Sequence, residues 1–252
     1  MSDRKPLLSL LVACWNSELL LGRFLPSLAE QTFQDWELLL LDNASSDGSA
    51  ALVADHCRRH PGQRVRWLSR PDGGIYDAWN HGLAEAQGCY LSFIGSDDTF
   101  AGPDSLALLA GLTATGADLI TARNAYYAAD GRFLRHWGSG WNWRRQRQSM
   151  TIAHPGMLLR RALFERFGAF DTSFRICGDY EWLLRLPQGL RSVHSSDVIL
   201  NVVQAGVSHT RIAAVYRETF RAQCRHLGLG WSAGCWLLNW LQYGRRRCIG
   251  LA

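Results

Sequence analysis

The residues of this chain best placed to do chemistry are carboxylates that follow apolar runs. Asp42 closes the run Trp36–Leu41, Asp72 follows Val65–Leu68 within Arg70-Pro71-Asp72-Gly73-Gly74, and Asp97-Asp98 follow Tyr90–Ile94 after Gly95-Ser96. Adjacent carboxylates offer hard oxygen ligands. A Mg²⁺ or Mn²⁺ ion held by one or two of them completes its shell with substrate phosphates and water. Asp97-Asp98 therefore point to a divalent cation and a nucleoside diphosphate ligand. A single Asp at such a place is more often a helix cap or turn residue, and Asp47-Gly48 reads that way. Repetition after three successive runs, on one edge, is harder to explain by local geometry alone.

The elements that must position these acids are legible in the first hundred residues. Leu7–Ala13, Trp36–Leu41, Val65–Leu68 and Tyr90–Ile94 are short apolar runs of the kind that make strands covered on both faces. Between them lie helical segments: one capped by Ser17 and kinked at Pro26, then Ser49–Arg59 and Ile75–Ala86. Strands joined through helices imply right-handed crossovers and a mainly parallel sheet, so the fold class is α/β, Rossmann-like. In such sheets ligands bind beyond the carboxyl ends of the strands, where the acids sit. Further on, Pro103-Asp104 open a helix to about Thr115, and Leu119–Thr121 is another strand. Asp130-Gly131 turns a hairpin, Gly138–Ser149 reads as a mobile loop, and helices follow over Arg161–Phe167 and about Asp179–Leu186.

Composition sets the frame. The chain has 252 residues, 47% hydrophobic and 19% charged, with a net charge of +5. That is enough for a packed core and excludes a disordered tail, a fibre or a disulfide miniprotein. No apolar stretch reaches the roughly 18 to 20 residues that span a bilayer. Lys5 is the one lysine among 27 basic residues, an arginine excess that codon bias explains as well as phosphate binding does. Without a homeodomain, zinc-finger or RNP pattern, nucleic-acid binding has no support. The seven cysteines contain no C-x-x-C pair and read as reduced thiols of a cytoplasmic protein, most of them small core residues. Met1–Cys14 ends in Leu-Val-Ala-Cys, like a lipoprotein cleavage site. Its apolar run is short and Asp3 interrupts the basic start, so a buried strand is the preferred reading.

Four segments in combination carry a family resemblance: the first strand with Trp15-Asn16, the loop Asp42-Asn43-Ala44-Ser45-Ser46-Asp47-Gly48-Ser49, the block from Pro71 to Gly82, and Gly95-Ser96-Asp97-Asp98. From Leu7 to about Arg185 the chain resembles a family 2 glycosyltransferase of the GT-A fold, of the bacterial polysaccharide type. The resemblance implies inverting, metal-dependent transfer of a sugar from a UDP-, GDP- or dTDP-sugar to a glycan or lipid-linked glycan. It implies that Asp42 accepts hydrogen bonds from the nucleotide base and that Asp72 lies near base or ribose. Asp97 would bind Mn²⁺ or Mg²⁺, with Asp98 beside it contacting the donor or orienting the ligand shell. Gly95 stands where many relatives carry Asp or Asn, which puts a side-chain contact to ribose in doubt. Asp77 and Asn80 share a helix face with Tyr76 alongside and either line the donor pocket or act in capping and packing.

Gly178-Asp179-Tyr180-Glu181 resembles the family segment whose leading acid deprotonates the acceptor hydroxyl, so Asp179 is the expected general base, a role compatible with capping the helix it opens. Glu181 points elsewhere and pairs with Arg185. His154-Pro155-Gly156 matches a position near the acceptor, or satisfies a buried backbone group. His209 is read as a surface residue, although relatives have a donor-closing loop there. Trp141 and Trp143, with Arg144, Arg145 and Arg147, form an acceptor flap or a loop packed on the core. The expected organisation is a catalytic domain over 1–210, its nucleotide half 1–100 and its acceptor half 101–210, followed by a helical extension over 211–252. Within the extension, 231–247 suits peripheral contact with the inner face of the cytoplasmic membrane; docking on the core or a dimer contact is the alternative. The rival functions are a sugar-1-phosphate nucleotidyltransferase, whose glycine-rich G-G-x-G-x-R loop is missing, and a sugar-nucleotide or glycan-binding protein without activity.

Overall fold

The protein was analysed as a computed structural model that describes residues 4–204 and 211–248, with 239–248 as backbone only. His209 and the start Met1–Asp3 lie outside the described residues. The chain runs β1 (Leu8–Cys14), α1 (Glu18–Ala29), β2 (Trp36–Asp42), α2 (Ser49–Arg59), β3 (Arg64–Ser69), α3 (Ile75–Glu85) and β4 (Tyr90–Gly95). It continues through β5 (Thr99–Phe100), α4 (Ser105–Leu112), β6 (Leu119–Tyr127), β7 (Phe133–Trp137), α5 (Trp143–Gln146) and β8 (Leu158–Arg160). Last come α6 (Arg161–Phe167), α7 (Gly178–Leu184), β9 (Ser192–Val203), α8 (Ile212–Leu227) and α9 (Leu229–Cys248).

The strands form one sheet in the order β3-β2-β1-β4-β8-β6-β9-β5, with β7 paired to β6. β3, β2, β1 and β4 are parallel, as the crossover helices require. β2 is buried at every position and β1 at all but Ala13, which is why both read as continuous apolar runs. One polar knot interrupts this apolar layer. Ser9 and the N–H of Gln87 donate to the buried Glu37 (both 2.6 Å), and Gly88 donates to Ser9, so the turn into β4 is fixed against β1 and β2.

Beyond β4 the sheet changes character. The three-residue β8 lies between β4 and β6, antiparallel to both. Arg160 anchors it, donating to Asp118 (2.9 Å), the Tyr90 hydroxyl (2.8 Å) and the Gly116 carbonyl (2.9 Å). β6 pairs parallel with β9, and β9 returns antiparallel onto β5 through Thr99↔Asn201 and Phe100↔Leu200.

Three expectations change. Ser17 does not cap α1: its hydroxyl bonds Trp15, and Asp47 accepts the Glu18 N–H instead (3.0 Å). A loop aspartate from the neighbouring strand end thus does the capping. The strand β9 was not anticipated, because the polar stretch Ser195-Ser196-Asp197 interrupts its hydrophobic pattern. Those residues bulge where Thr121↔His194 gives way to Arg123↔Val198. The segment 138–149, read as a mobile loop, contains α5, whose Asn142 side chain caps it and whose Gln146 is fully buried and holds Thr151. Sequence alone hid this because the anchoring partners, in α7 and α8, are far along the chain. Trp141 and Trp143 pack against the core beneath the segment while Arg144 and Arg145 face solvent.

Candidate active site

The carboxyl ends of β1, β2, β3 and β4 form one rim. Asp42, at the end of β2, is 2% exposed and its carboxylate is already occupied. It accepts the Ser45 N–H (3.1 and 3.2 Å), the Ser45 hydroxyl and the Ser69 hydroxyl (2.5 Å). The Asp72 N–H donates to Asn43, and Asp72 in turn accepts the Gly74 N–H (2.8 Å), which shapes the entry to α3. Gly74 needs its positive φ of 122°, a region closed to most side chains. Asp77 accepts the Gly73 N–H (2.8 Å) across the same turn. Ala44, at φ 50°, is the less comfortable case, since a left-handed non-glycine residue costs roughly 1 to 2 kcal/mol.

Between β2, β3 and α3 lies a cavity of about 320 Å³, lined among others by Asp42, Trp67, Ser69, Arg70, Asp72 and His81. That volume is in the range of small-molecule sites. The acids around it act on one another's neighbours. Burial pushes the Cys14 thiol up to about 12, and the charges of Asp42, Asp47 and Asp72 add to the effect.

Asp97 and Asp98 occupy the tight connection from β4 to β5. Asp98 is 2% exposed and accepts the Gly95 N–H (2.8 Å), so it faces inward, whereas Asp97 is half-buried. Burial raises both carboxyls above the ordinary carboxylate range, Asp98 the more strongly because it is more deeply buried, with the Asp97 charge adding to the effect. Two adjoining acids repel one another, and a divalent ion bound to them would relieve that repulsion. With glycine at 95, Oδ1 of Asp97 lies in space that a side chain would contest: a Cβ there would stand 2.6 Å from it. Among the described residues no group of three or more His, Cys, Asp or Glu side chains surrounds this point. An ion would therefore take Asp97 as its chief protein ligand and fill its shell from the substrate, a pattern that suits Mg²⁺ and Mn²⁺.

Asp179 reaches the site from α7. Its Oδ1 accepts the Tyr180 N–H (2.8 Å) and lies 3.1 Å from the Tyr76 hydroxyl, which donates to the Ile176 carbonyl at 2.7 Å. Gly178 permits this approach, since a Cβ would stand 2.8 Å from the Tyr76 ring. Burial, then the Asp179 charge, hold the Tyr76 phenol well above its ordinary value, so it stays a donor. The buried His154 stacks on Trp79 with ring centroids 5.3 Å apart. Burial keeps its imidazole below the ordinary value and so neutral, with Asp179 acting in the opposite sense.

Residues 9–168 match the profile described as Glycosyl transferase family 2. The chain belongs to that family. Among relatives of this family 2 glycosyltransferase, a PGL/p-HBAD biosynthesis glycosyltransferase of Mycobacterium bovis is 29% identical over 71% of this chain and 69% of its own. A chondroitin synthase of Escherichia coli is 27% identical over 81% of this chain and 30% of its own. The fold is GT-A: S. aureus TarS 1–349 in complex with UDP superposes with a TM-score of 0.68 at 19% identity, covering 88% of this chain and 65% of that one. The mannosyltransferase PcManGT of Pyrobaculum calidifontis, in complex with GDP-Man and Mn²⁺, gives 0.66 at 18% identity over 92% and 70%. The chain spans 39% of the longer TarS structure.

The structure gathers Asp42, Asp72 and Asp77 around the rim at the strand ends and brings Asp179 to Tyr76. It treats Asn80 differently: both ends of its amide are bonded to the Phe170 backbone (2.9 Å each), so Asn80 brackets α3 to the turn before α7. Sequence reasoning missed Ser69, Ser45 and Arg175. The serines follow strand ends just as the acids do, which was the available signal. Arg175, whose guanidinium lies beside Gly74, gave none, because it reaches the turn before α3 from a hundred residues away.

Proposed function

We propose that this glycosyltransferase is inverting and metal-dependent. It moves one sugar from a UDP-, GDP- or dTDP-sugar to a hydroxyl of a glycan or lipid-linked glycan, in the assembly of bacterial surface polysaccharide. The observation that carries the reading is the position of Tyr76. It opens α3, directly after the Asp72-Gly73-Gly74 turn of the donor rim, and its hydroxyl lies 3.1 Å from Asp179. One short segment thus sets the distance between donor and base.

In this reading the cavity beside Asp42 and Asp72 receives the nucleotide. The occupied carboxylate of Asp42 leaves room for a single further donor, as an imide N–H would supply. Asp97 holds Mn²⁺ or Mg²⁺, and the bound ion offsets charge on the departing diphosphate. Asp179 takes the proton of the acceptor hydroxyl as it attacks, on the face opposite the leaving group. The Tyr180 N–H fixes Oδ1 of Asp179, with the Tyr76 hydroxyl packed beside it, so Oδ2 is the oxygen presented to the acceptor. The UDP and GDP-Man bound by structural neighbours support a nucleotide-sugar donor.

Thermal-shift screening with UDP-, GDP- and dTDP-sugars in Mn²⁺ tests the reading, because a bound ligand raises the midpoint. Asp97→Asn and Asp179→Asn should each abolish transfer, and only Asp97→Asn should remove the Mn²⁺-dependent part of the shift. Transfer at the wild-type rate in either variant would refute that residue's role.

Peripheral membrane contact belongs to the same reading. α9 exposes Leu229, Trp231, Trp236, Leu237 and Leu238, contains no acidic residue, and the sequence continues to Arg245-Arg246-Arg247. Exposed tryptophan and leucine beside a basic run suit an anionic lipid surface, where a lipid-linked acceptor would reside. Among the described residues no helix is long and apolar enough to cross a membrane.

A further inference from the structure

α8, the first helix of the expected C-terminal extension, grips α7. Glu218, in the second turn of α8, accepts three consecutive backbone N–H groups: Arg175 (3.0 Å), Ile176 (2.8 Å) and Cys177 (2.9 Å). These residues lead directly into α7, and no side chain caps that helix locally. The contact has a counterpart on the other side. The peptide joining Ile176 to Cys177 has its carbonyl bonded by Tyr76 (2.7 Å) and its N–H bonded by Glu218 (2.9 Å). One peptide plane, two residues before Asp179, is thus held from the donor side by α3 and from the far side by α8.

We infer that Glu218 is a positioning residue for catalysis: it fixes the backbone from Arg175 to Cys177 so that Asp179 stands at the right distance and angle to the acceptor hydroxyl. The inference rests on Asp179 being the base. Glu218 touches no reacting group and acts through the peptide alone. A carboxylate accepting several backbone N–H groups forms charge-assisted bonds, stronger and more directional than bonds to water. A base must lie within a narrow hydrogen-bond distance of its proton, and misplacement by about 1 Å costs on the order of 100-fold in rate. α8 stays docked without Glu218. Gln223 donates to the Arg147 and Gln148 carbonyls (3.0 Å each), His226 is 2.7 Å from Glu181, and the Cys177 thiol reaches Val215 and Thr219. Loss of the carboxylate should therefore free 175–177 without releasing the helix.

The test uses the full chain with Glu218→Gln, Glu218→Ala and Asp179→Asn. Turnover is read as nucleotide release from UDP-GlcNAc and from GDP-Man with Mn²⁺, where water serves as acceptor and needs the same base. Glu218→Gln, which keeps one accepting oxygen, should lose about 10-fold in kcat and Glu218→Ala about 100-fold, with donor KM within twofold of wild type in both. Amide exchange should quicken in the peptide covering 172–182 and stay unchanged in β1 to β4. Wild-type kcat in Glu218→Ala, a donor KM rising in step with the fall in kcat, or unchanged exchange over 172–182 would each overturn the inference. Undiminished turnover in Asp179→Asn would instead overturn the base assignment, and the exchange measurement stands whichever donor is used.

Discussion

Glycine at position 95 shows how a missing side chain can serve a site. Its absent Cβ leaves the space in which Oδ1 of Asp97 lies, and its N–H fixes the inward-facing Asp98. Gly95→Ala should therefore displace Asp97 while leaving β4 intact. The expected outcome is a loss of the Mn²⁺-dependent thermal shift with UDP- or GDP-sugars, a midpoint without ligand within a few degrees of wild type, and turnover reduced at least 10-fold. An undiminished Mn²⁺ effect would show that Asp97 does not depend on this space. Asp42 carries a related lesson. A lone acid at a strand end is recognisable from sequence, but the hydroxyls of Ser45 and Ser69 that leave it one vacancy are not.

At the scale of elements, α7 is held by a buried acid of its own. Glu181, 1% exposed, is met by Arg185 (2.5 Å), His226 (2.7 Å) and Arg225 (3.6 Å). Burial would raise its pKa, yet bonds from His226 and Arg185 outweigh burial and hold it below the ordinary value. Asp171, bonded by Arg225, is likewise held low against the opposing effect of burial. A carboxyl whose folded pKa is depressed contributes stability above its unfolded pKa, near 4.5 for Glu181, and loses it as pH falls through the folded value. The urea midpoint should accordingly drop between pH 5 and pH 3 more steeply in wild type than in Glu181→Gln. That variant should be less stable at pH 7 by roughly 3 kcal/mol, since breaking a buried pair leaves its partners unmatched. Equal pH slopes in the two proteins would remove Glu181 from this account. The first hundred residues were legible element by element, because parallel strands covered on both faces announce themselves as apolar runs. α5 and β9 were not. The Gln146 carbonyl is bonded by Tyr180 of α7 and the next two carbonyls by Gln223 of α8, and β9 is tolerated as a polar, bulged strand because β6 and β5 flank it.

At the scale of the whole molecule, the acids of the site and the apolar surface of α9 belong to parts of the chain that sequence reading treated as separate. The rim of acids was recognisable because strand ends and motif residues coincide in sequence. The grip of α8 on α7 was not, since Glu218 and Gln223 have no motif and act at distances of about forty to seventy-five residues. If α9 lies on lipid, α8 carries that contact back to the base helix. Leu237 and Leu238 are 56% and 49% exposed, so Leu237→Glu/Leu238→Glu should leave folding and turnover of soluble donor unchanged. The same variant should abolish co-sedimentation with phosphatidylglycerol vesicles while wild type pellets with them. Wild type remaining in the supernatant would end the membrane reading.

The short strand β8 has a consequence for how the protein is made. As the chain leaves the ribosome, β1 to β4 can assemble from the first hundred residues, but the outer edge of β4 has no partner until Leu158–Arg160 emerge. During that interval the nascent sheet presents an open row of backbone donors and acceptors beside apolar side chains, the situation that invites pairing between copies. Arg160, by bonding Tyr90 and Asp118 at once, is the residue whose arrival ends that exposure. Truncation at residue 100 would make the open edge permanent, so the first hundred residues are a poor candidate for production on their own.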